Sequence, residues 1–71
     1  MTPKRFNIAR KRLGLTLTET AAMLGYEGEN ARSQVHHLET GRRPVRPAQA
    51  RLIEAYLDGY RPKDWPNEGN T

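Results

Sequence analysis

Apolar residues recur along this chain at three- and four-residue spacing, and Gly and Pro divide them into four helical stretches. In the first, Phe6, Ala9 and Leu13 share a side; Thr2 as N-cap and Pro3 at the first helical position open it, and Gly14 stops it. Its other side is basic, with Lys4, Arg5, Lys11 and Arg12. The second begins with Thr16-Leu17-Thr18-Glu19, a capping-box pattern in which the Thr16 hydroxyl and the Glu19 carboxylate satisfy unpaired amides of the first turn. Ala21 and Leu24 point inward and Gly25 ends it. Tyr26-Glu27-Gly28-Glu29 then reads as a turn, and Asn30 is a good N-cap for a third helix through Glu39. Gly41 closes that helix, and Arg42-Arg43-Pro44-Val45-Arg46 forms a basic loop. Pro47 starts a fourth helix with Leu52, Ile53, Tyr56 and Leu57 as its apolar face and Gly59 as its stop. The pattern predicts an all-α fold, a small bundle of four to five helices over residues 1–60, followed by a Pro-, Gly- and Asn-rich tail over 61–71.

Composition narrows the classes of function. A chain of 71 residues without cysteine has no disulfide framework, no Cys-based zinc site and no thiol nucleophile, and it is too short for a large catalytic architecture. No apolar run approaches a membrane span, and the opening Met-Thr-Pro-Lys-Arg-Phe lacks the apolar stretch of a signal peptide, so the expected setting is soluble and intracellular, with no membrane partner. The net charge of +4 is unevenly spread. Residues 1–46 hold nine Lys and Arg against four Asp and Glu, whereas residues 47–71 hold three against four. A basic front part is suited to a polyanion.

The third helix carries the sharpest signal. Val35 and Leu38 are its strongly apolar residues, three positions apart, so one narrow stripe is buried and Arg32, Ser33, Gln34, His36 and His37 are left for solvent or a ligand. Two short helices joined by a Gly-containing turn, the second nearly bare, are what a helix-turn-helix requires if its second helix is to enter the major groove. The five residues are a plausible reading set: Arg32 can donate twice to guanine, Gln34 can pair bidentately with adenine, and Ser33, His36 and His37 can donate or accept.

The strings Leu13-Gly14-Leu15-Thr16-Leu17-Thr18-Glu19-Thr20-Ala21-Ala22-Met23-Leu24-Gly25 and Val35-His36-His37-Leu38-Glu39-Thr40-Gly41-Arg42-Arg43-Pro44 resemble the Cro/CI-type (Xre-like) helix-turn-helix regulators of phages and bacteria. The resemblance spans residues 5–57 and implies a lambda-repressor-like fold, sequence-specific binding to double-stranded DNA and a cytoplasmic setting in a bacterial cell or a phage-infected host. It places Arg32 and Ser33 where such proteins touch base edges and His37 one turn further on, with Gln34 and His36 beside them. It matches Arg42, Arg43 and Arg46 to a loop that contacts phosphates, and Arg10 and Glu39 to a structural ion pair between the first and third helices. This sequence departs from the family pattern in three places. Leu17 stands where a polar phosphate-binding residue is usual, leaving Thr16, Thr18 and, at the next helix start, Asn30 as candidate phosphate contacts. Thr20 stands at a position that is normally apolar, and the turn through Glu29 is longer than the family's usual one.

Other chemistries are poorly served. His36 and His37 point about 100° apart on a helix, and no Cys or nearby carboxylate completes a ligand set, so no metal is expected. Ser33 with either histidine lacks a third group to orient the base; no catalytic residue, cofactor or small-molecule ligand is expected. Ile53, Tyr56, Leu57, Tyr60 and Trp65 are the expected contact of a homodimer, whose two-fold axis would set two recognition helices about 34 Å apart. The resulting expectation is a transcriptional repressor at an inverted-repeat operator, with autoregulation of its own operon as one form of it. The alternative is a protein-interaction module, since antitoxin-type and anti-CRISPR-associated autoregulators are similar in size.

Overall fold

Thr2 caps the first helix as the sequence predicts, its hydroxyl accepting from the Arg5 amide at 3.1 Å, and Pro3 occupies a position where no intrahelical N–H is needed. The computed structural model describes residues 1–63, and among them four helices form: α1 (Pro3–Leu13), α2 (Leu17–Leu24), α3 (Ala31–Thr40) and α4 (Pro47–Leu57). Among the described residues there is no strand. At the start of α2 both halves of the capping box are made: the Glu19 amide donates to the Thr16 hydroxyl at 3.1 Å, and the Thr16 amide donates to the Glu19 carboxylate at 2.9 Å.

Gly25 sets the turn after α2. Its φ of 85° lies in the left-handed region, where a Cβ would be strained, and this lets the amides of Gly25 and Tyr26 bond back to the carbonyls of Ala22 and Ala21 at 3.1 and 2.9 Å. The longer turn that follows is anchored from outside. The Tyr26 hydroxyl accepts from the Gln49 side-chain amide at 2.8 Å, and the other end of that amide, Gln49 Oε1, accepts from the Arg46 backbone N–H at 2.9 Å. One glutamine therefore joins the turn before α3 to the loop after it, which fixes both flanks of α3 against α4. Asn30 precedes α3 but makes no side-chain cap, in contrast to the sequence expectation; its carbonyl accepts from Gln34 N at 3.0 Å, while the Ala31 amide reaches Gly28 O at 3.3 Å.

α2 packs on α3, and α1 packs on both α3 and α4. The shared core is Phe6, Ala9, Ala21, Met23, Val35, Leu38, Ile53 and Tyr56, with every helix contributing two residues. Thr20, polar where the family is usually apolar, is fully buried without penalty because its hydroxyl donates to the Thr16 carbonyl at 2.8 Å and leaves its methyl for packing. Ile53 and Tyr56 are 0% and 2% exposed, so these two correct the expected dimer contact: the α4 stripe that carries them is used to close this chain's own core. Leu57 and Tyr60 remain exposed, and Trp65 lies outside the described residues. Beyond α4 the chain stays attached through Arg61, whose guanidinium lies 5.0 Å from the centre of the Tyr56 ring and donates to the Tyr56 carbonyl at 3.1 Å.

Candidate nucleic-acid interface

The narrow stripe predicted for α3 is what the structure buries. Val35 and Leu38 are almost fully enclosed, with Ala31 half-buried beside them, and at about 100° per residue the opposite side falls to Ser33, His36 and Thr40. Arg32, Ser33 and His36 are exposed; His37 is half-buried. Gln34 behaves differently from the expectation of a base reader. It sits toward the core side of the helix, half-buried, with its Oε1 shut off from solvent and without a hydrogen-bond partner among the described residues. A side chain in that position is withdrawn from a groove surface that Arg32, Ser33 and His36 can reach.

The base of α3 is held to α1 by a polar cluster. Arg10 Nε donates to Glu39 Oε2, and Arg10 Nη2 reaches Glu39 Oε1 at 3.2 Å. Asn7 Nδ2 donates to that same Oε1 at 2.7 Å, and Arg10 Nη1 donates to the Leu15 carbonyl at 2.8 Å. The carboxylate is therefore multiply hydrogen-bonded, and the guanidinium also ties down the loop before α2. Burial makes this matter: the Arg10 and Glu39 side chains are 14% and 8% exposed, so neither charge has water to fall back on if the other is removed. Asn7 and Leu15 were not among the residues singled out from sequence. Asn7 lies one helical turn before Arg10 on the same side, a spacing that could have revealed it.

The loop after α3 continues its exposed surface. Gly41, at φ 84°, reverses the chain, and the Arg43 amide then bonds back to the His37 carbonyl at 3.2 Å. This contact ties the loop to the helix that it follows. Arg42, Arg43 and Arg46 are all exposed, and with Arg32 they have no carboxylate at ion-pairing distance among the described residues. Their charge is thus free to act outward. At the start of α2, Thr16 and Thr18 are both exposed; Thr16 uses its oxygen as the cap acceptor but keeps a hydroxyl hydrogen to donate. Asn30 is exposed at the entrance to α3.

No three His, Cys, Asp or Glu side chains come together among the described residues as a metal would need. No helix among them is long and apolar enough to cross a membrane. What the elements do assemble is a helix with one buried stripe, braced by a second helix across a turn and extended by a loop of unpaired arginines. These parts define a DNA-binding helix-turn-helix protein.

A family model described as helix-turn-helix matches residues 8–65, well over half the chain, and the protein belongs to this family of Cro/CI-type (Xre-like) regulators. It is thus a transcription regulator that binds double-stranded DNA, in a family whose domain is not enzymatic. No curated protein and no solved structure matches the chain.

Proposed function

We propose that the protein is a repressor that reads an inverted-repeat operator as a homodimer and lowers transcription by occupying the site, with the promoter of its own operon as the first candidate. The observation that carries this reading is the continuous surface formed by α3 and the loop after it, with Arg32, Ser33 and His36 exposed on the helix and Arg42, Arg43 and Arg46 on a loop fastened to it. Major-groove base edges are read by the first group, with His37 at the margin, while the loop arginines hold the sugar-phosphate backbone. Thr16, Thr18 and Asn30, at the starts of α2 and α3, add phosphate contacts through hydroxyl and amide hydrogens. Gln34 contributes by filling the space between α3 and its neighbours rather than by reading a base.

Two-fold pairing suits this geometry because one short recognition helix covers a single half-site, and two of them about one DNA turn apart cover an inverted repeat. Among the described residues Tyr60, 49% exposed at the end of the molecule beyond α4, is the side chain best suited to that pairing. A protein bound across a promoter by such a pair excludes other proteins from it without any further activity.

The division of labour is tested with Arg32→Ala. Because Arg32 is exposed on the helix and takes no part in the core, the variant should fold normally and bind random duplex DNA much as the parent does. Its preference for the cognate site should fall by about 1–3 kcal/mol, roughly fivefold to 150-fold. Competition binding between cognate and scrambled duplexes measures that preference directly. Equal losses on both duplexes would make Arg32 a phosphate contact instead.

A further inference from the structure

A shallow groove of about 300 Å³ runs between α1 and α4, lined by Arg5, Ile8, Ala9 and Arg12 from one helix and by Glu54 and Leu57 from the other. Neither the core nor the DNA-reading surface accounts for it. Ile8 is 49% exposed and Leu57 38%, although a domain this small has few large apolar side chains to leave uncovered. The rim is cationic. Lys4, Arg5, Lys11 and Arg12 are all exposed on the outer side of α1 about Ile8, and α1 contains no acidic residue. None of the four has a carboxylate at ion-pairing distance among the described residues. Glu54 is the one acid in the lining. A volume near 300 Å³ is at the low end for a small-molecule site, and a groove this shallow suits a single large side chain projecting from a peptide.

We propose that the groove docks a segment of another protein in which one large aliphatic or aromatic side chain is carried between Asp or Glu residues. The apolar side chain covers Ile8 and Leu57, and the carboxylates on either side meet Arg5 and Arg12. Those two arginines stand on one flank of α1 with Ile8 between them, about 10 Å apart along the helix axis. An extended peptide covers that span in about three residues, so the acids fall one or two positions to either side of the apolar residue. A second copy fits less well. A two-fold contact would gather Lys4, Arg5, Lys11 and Arg12 from both chains against Glu54 and Asp58 from both, twice as many cations as carboxylates. DNA fits less well too, because phosphates would leave Ile8 and Leu57 uncovered and because the groove faces away from α3. Asn7 and Arg10, which reach Glu39 on α3, are each two positions from Arg5 and Arg12, about 200° round the helix. The inference does not rest on the repressor reading, and it leaves Tyr60 available for pairing.

Selection of short random peptides displayed on phage, against the immobilised full chain at about 0.15 M salt, tests the proposal. The bound pool should be enriched in peptides with one large apolar residue flanked by acids, and a synthetic peptide of the enriched sequence is then the probe. Its affinity, measured by calorimetry, should fall about tenfold or more for Ile8→Glu and several-fold for Arg12→Ala while circular dichroism shows the helices intact. The loss should recur in Leu57→Ser, which opens the apolar wall without adding charge. Probe binding should survive saturation of the protein with duplex DNA, and duplex affinity should be unchanged in all three variants. A pool without such a consensus overturns the proposal. So does a probe that binds the parent and the folded variants equally, or that duplex DNA displaces, since it then sits on the DNA-reading surface. A fall in the mass seen by light scattering for Ile8→Glu would seat a second copy in the groove, and a smaller salt slope of duplex binding for Arg12→Ala would make the rim a DNA contact; either result also overturns it.

Discussion

Glu39→Ala should leave much of the protein unfolded at room temperature. The Glu39 carboxylate holds Arg10 through two guanidinium nitrogens and Asn7 through its amide, and it does so with the carboxylate itself 8% exposed. Removing it strands the Arg10 guanidinium in a largely dry place and frees α1 from the base of α3. Breaking one side of a buried pair costs about 3–5 kcal/mol. Small domains have a total stability of about the same order, roughly 5 kcal/mol at the low end. The loss is therefore comparable with the whole. Urea unfolding followed by circular dichroism should show the midpoint of Glu39→Ala shifted far toward zero denaturant, with Glu39→Gln intermediate because its amide oxygen can still accept from Asn7 or Arg10. Joint replacement of Arg10 by Met and Glu39 by Leu should recover part of the stability, since no charge is then left without a partner. An unchanged midpoint for Glu39→Ala would show that the cluster has no hold on the fold.

Arg42→Ala combined with Arg43→Ala should leave the fold intact and weaken binding to every duplex. Both side chains are exposed, and the contact that fastens the loop to α3 is made by the Arg43 backbone, which alanine retains. Each guanidinium lost from a phosphate returns one set of condensed counterions to the DNA. The slope of log affinity against log salt should therefore fall in magnitude by about two, close to one for each arginine removed. Affinity near physiological salt should drop by about tenfold or more, nearly equally for cognate and scrambled DNA. Binding isotherms over a salt series give both quantities from one experiment. A parental slope in the double variant would remove the loop from the phosphate backbone.

The caps and stops were legible in the sequence because they are local. Thr2, Thr16 with Glu19, Gly14 and Gly25 each act within one turn of chain, and the physics that selects them is complete at that range. The bare surface of α3 was legible for a related reason: with Val35 and Leu38 as its strongly apolar residues, little else on the helix could be drawn inward. Tertiary arrangement set the rest. Which flank of α3 meets a neighbouring helix decides that Gln34 is half-buried, and no spacing within α3 reports it. The apolar stripe of α4 was plain, but a stripe does not say whether it is covered by its own chain or by another; Ile53 and Tyr56 belong to the first case. Gln49 and Tyr26, 23 positions apart, meet across the longer turn, a pairing that follows from how α4 crosses the entrance to α3. Asn30 missed its cap because its backbone, at φ −93° and ψ 5°, lies in the bridge region and not in the extended conformation of a capping residue, and its side chain makes no cap hydrogen bond to the first amides.

The central claim is that α3 reads base sequence and that two copies do so together. In vitro selection of the purified protein on randomised duplex DNA at about 0.15 M salt, followed by sequencing of the bound pool, tests it most directly. The account predicts an enriched inverted repeat with half-site centres about one helical turn apart, 10 to 10.5 base pairs, or a multiple of it. A pool that stays random, bound by protein shown to be folded, would contradict it.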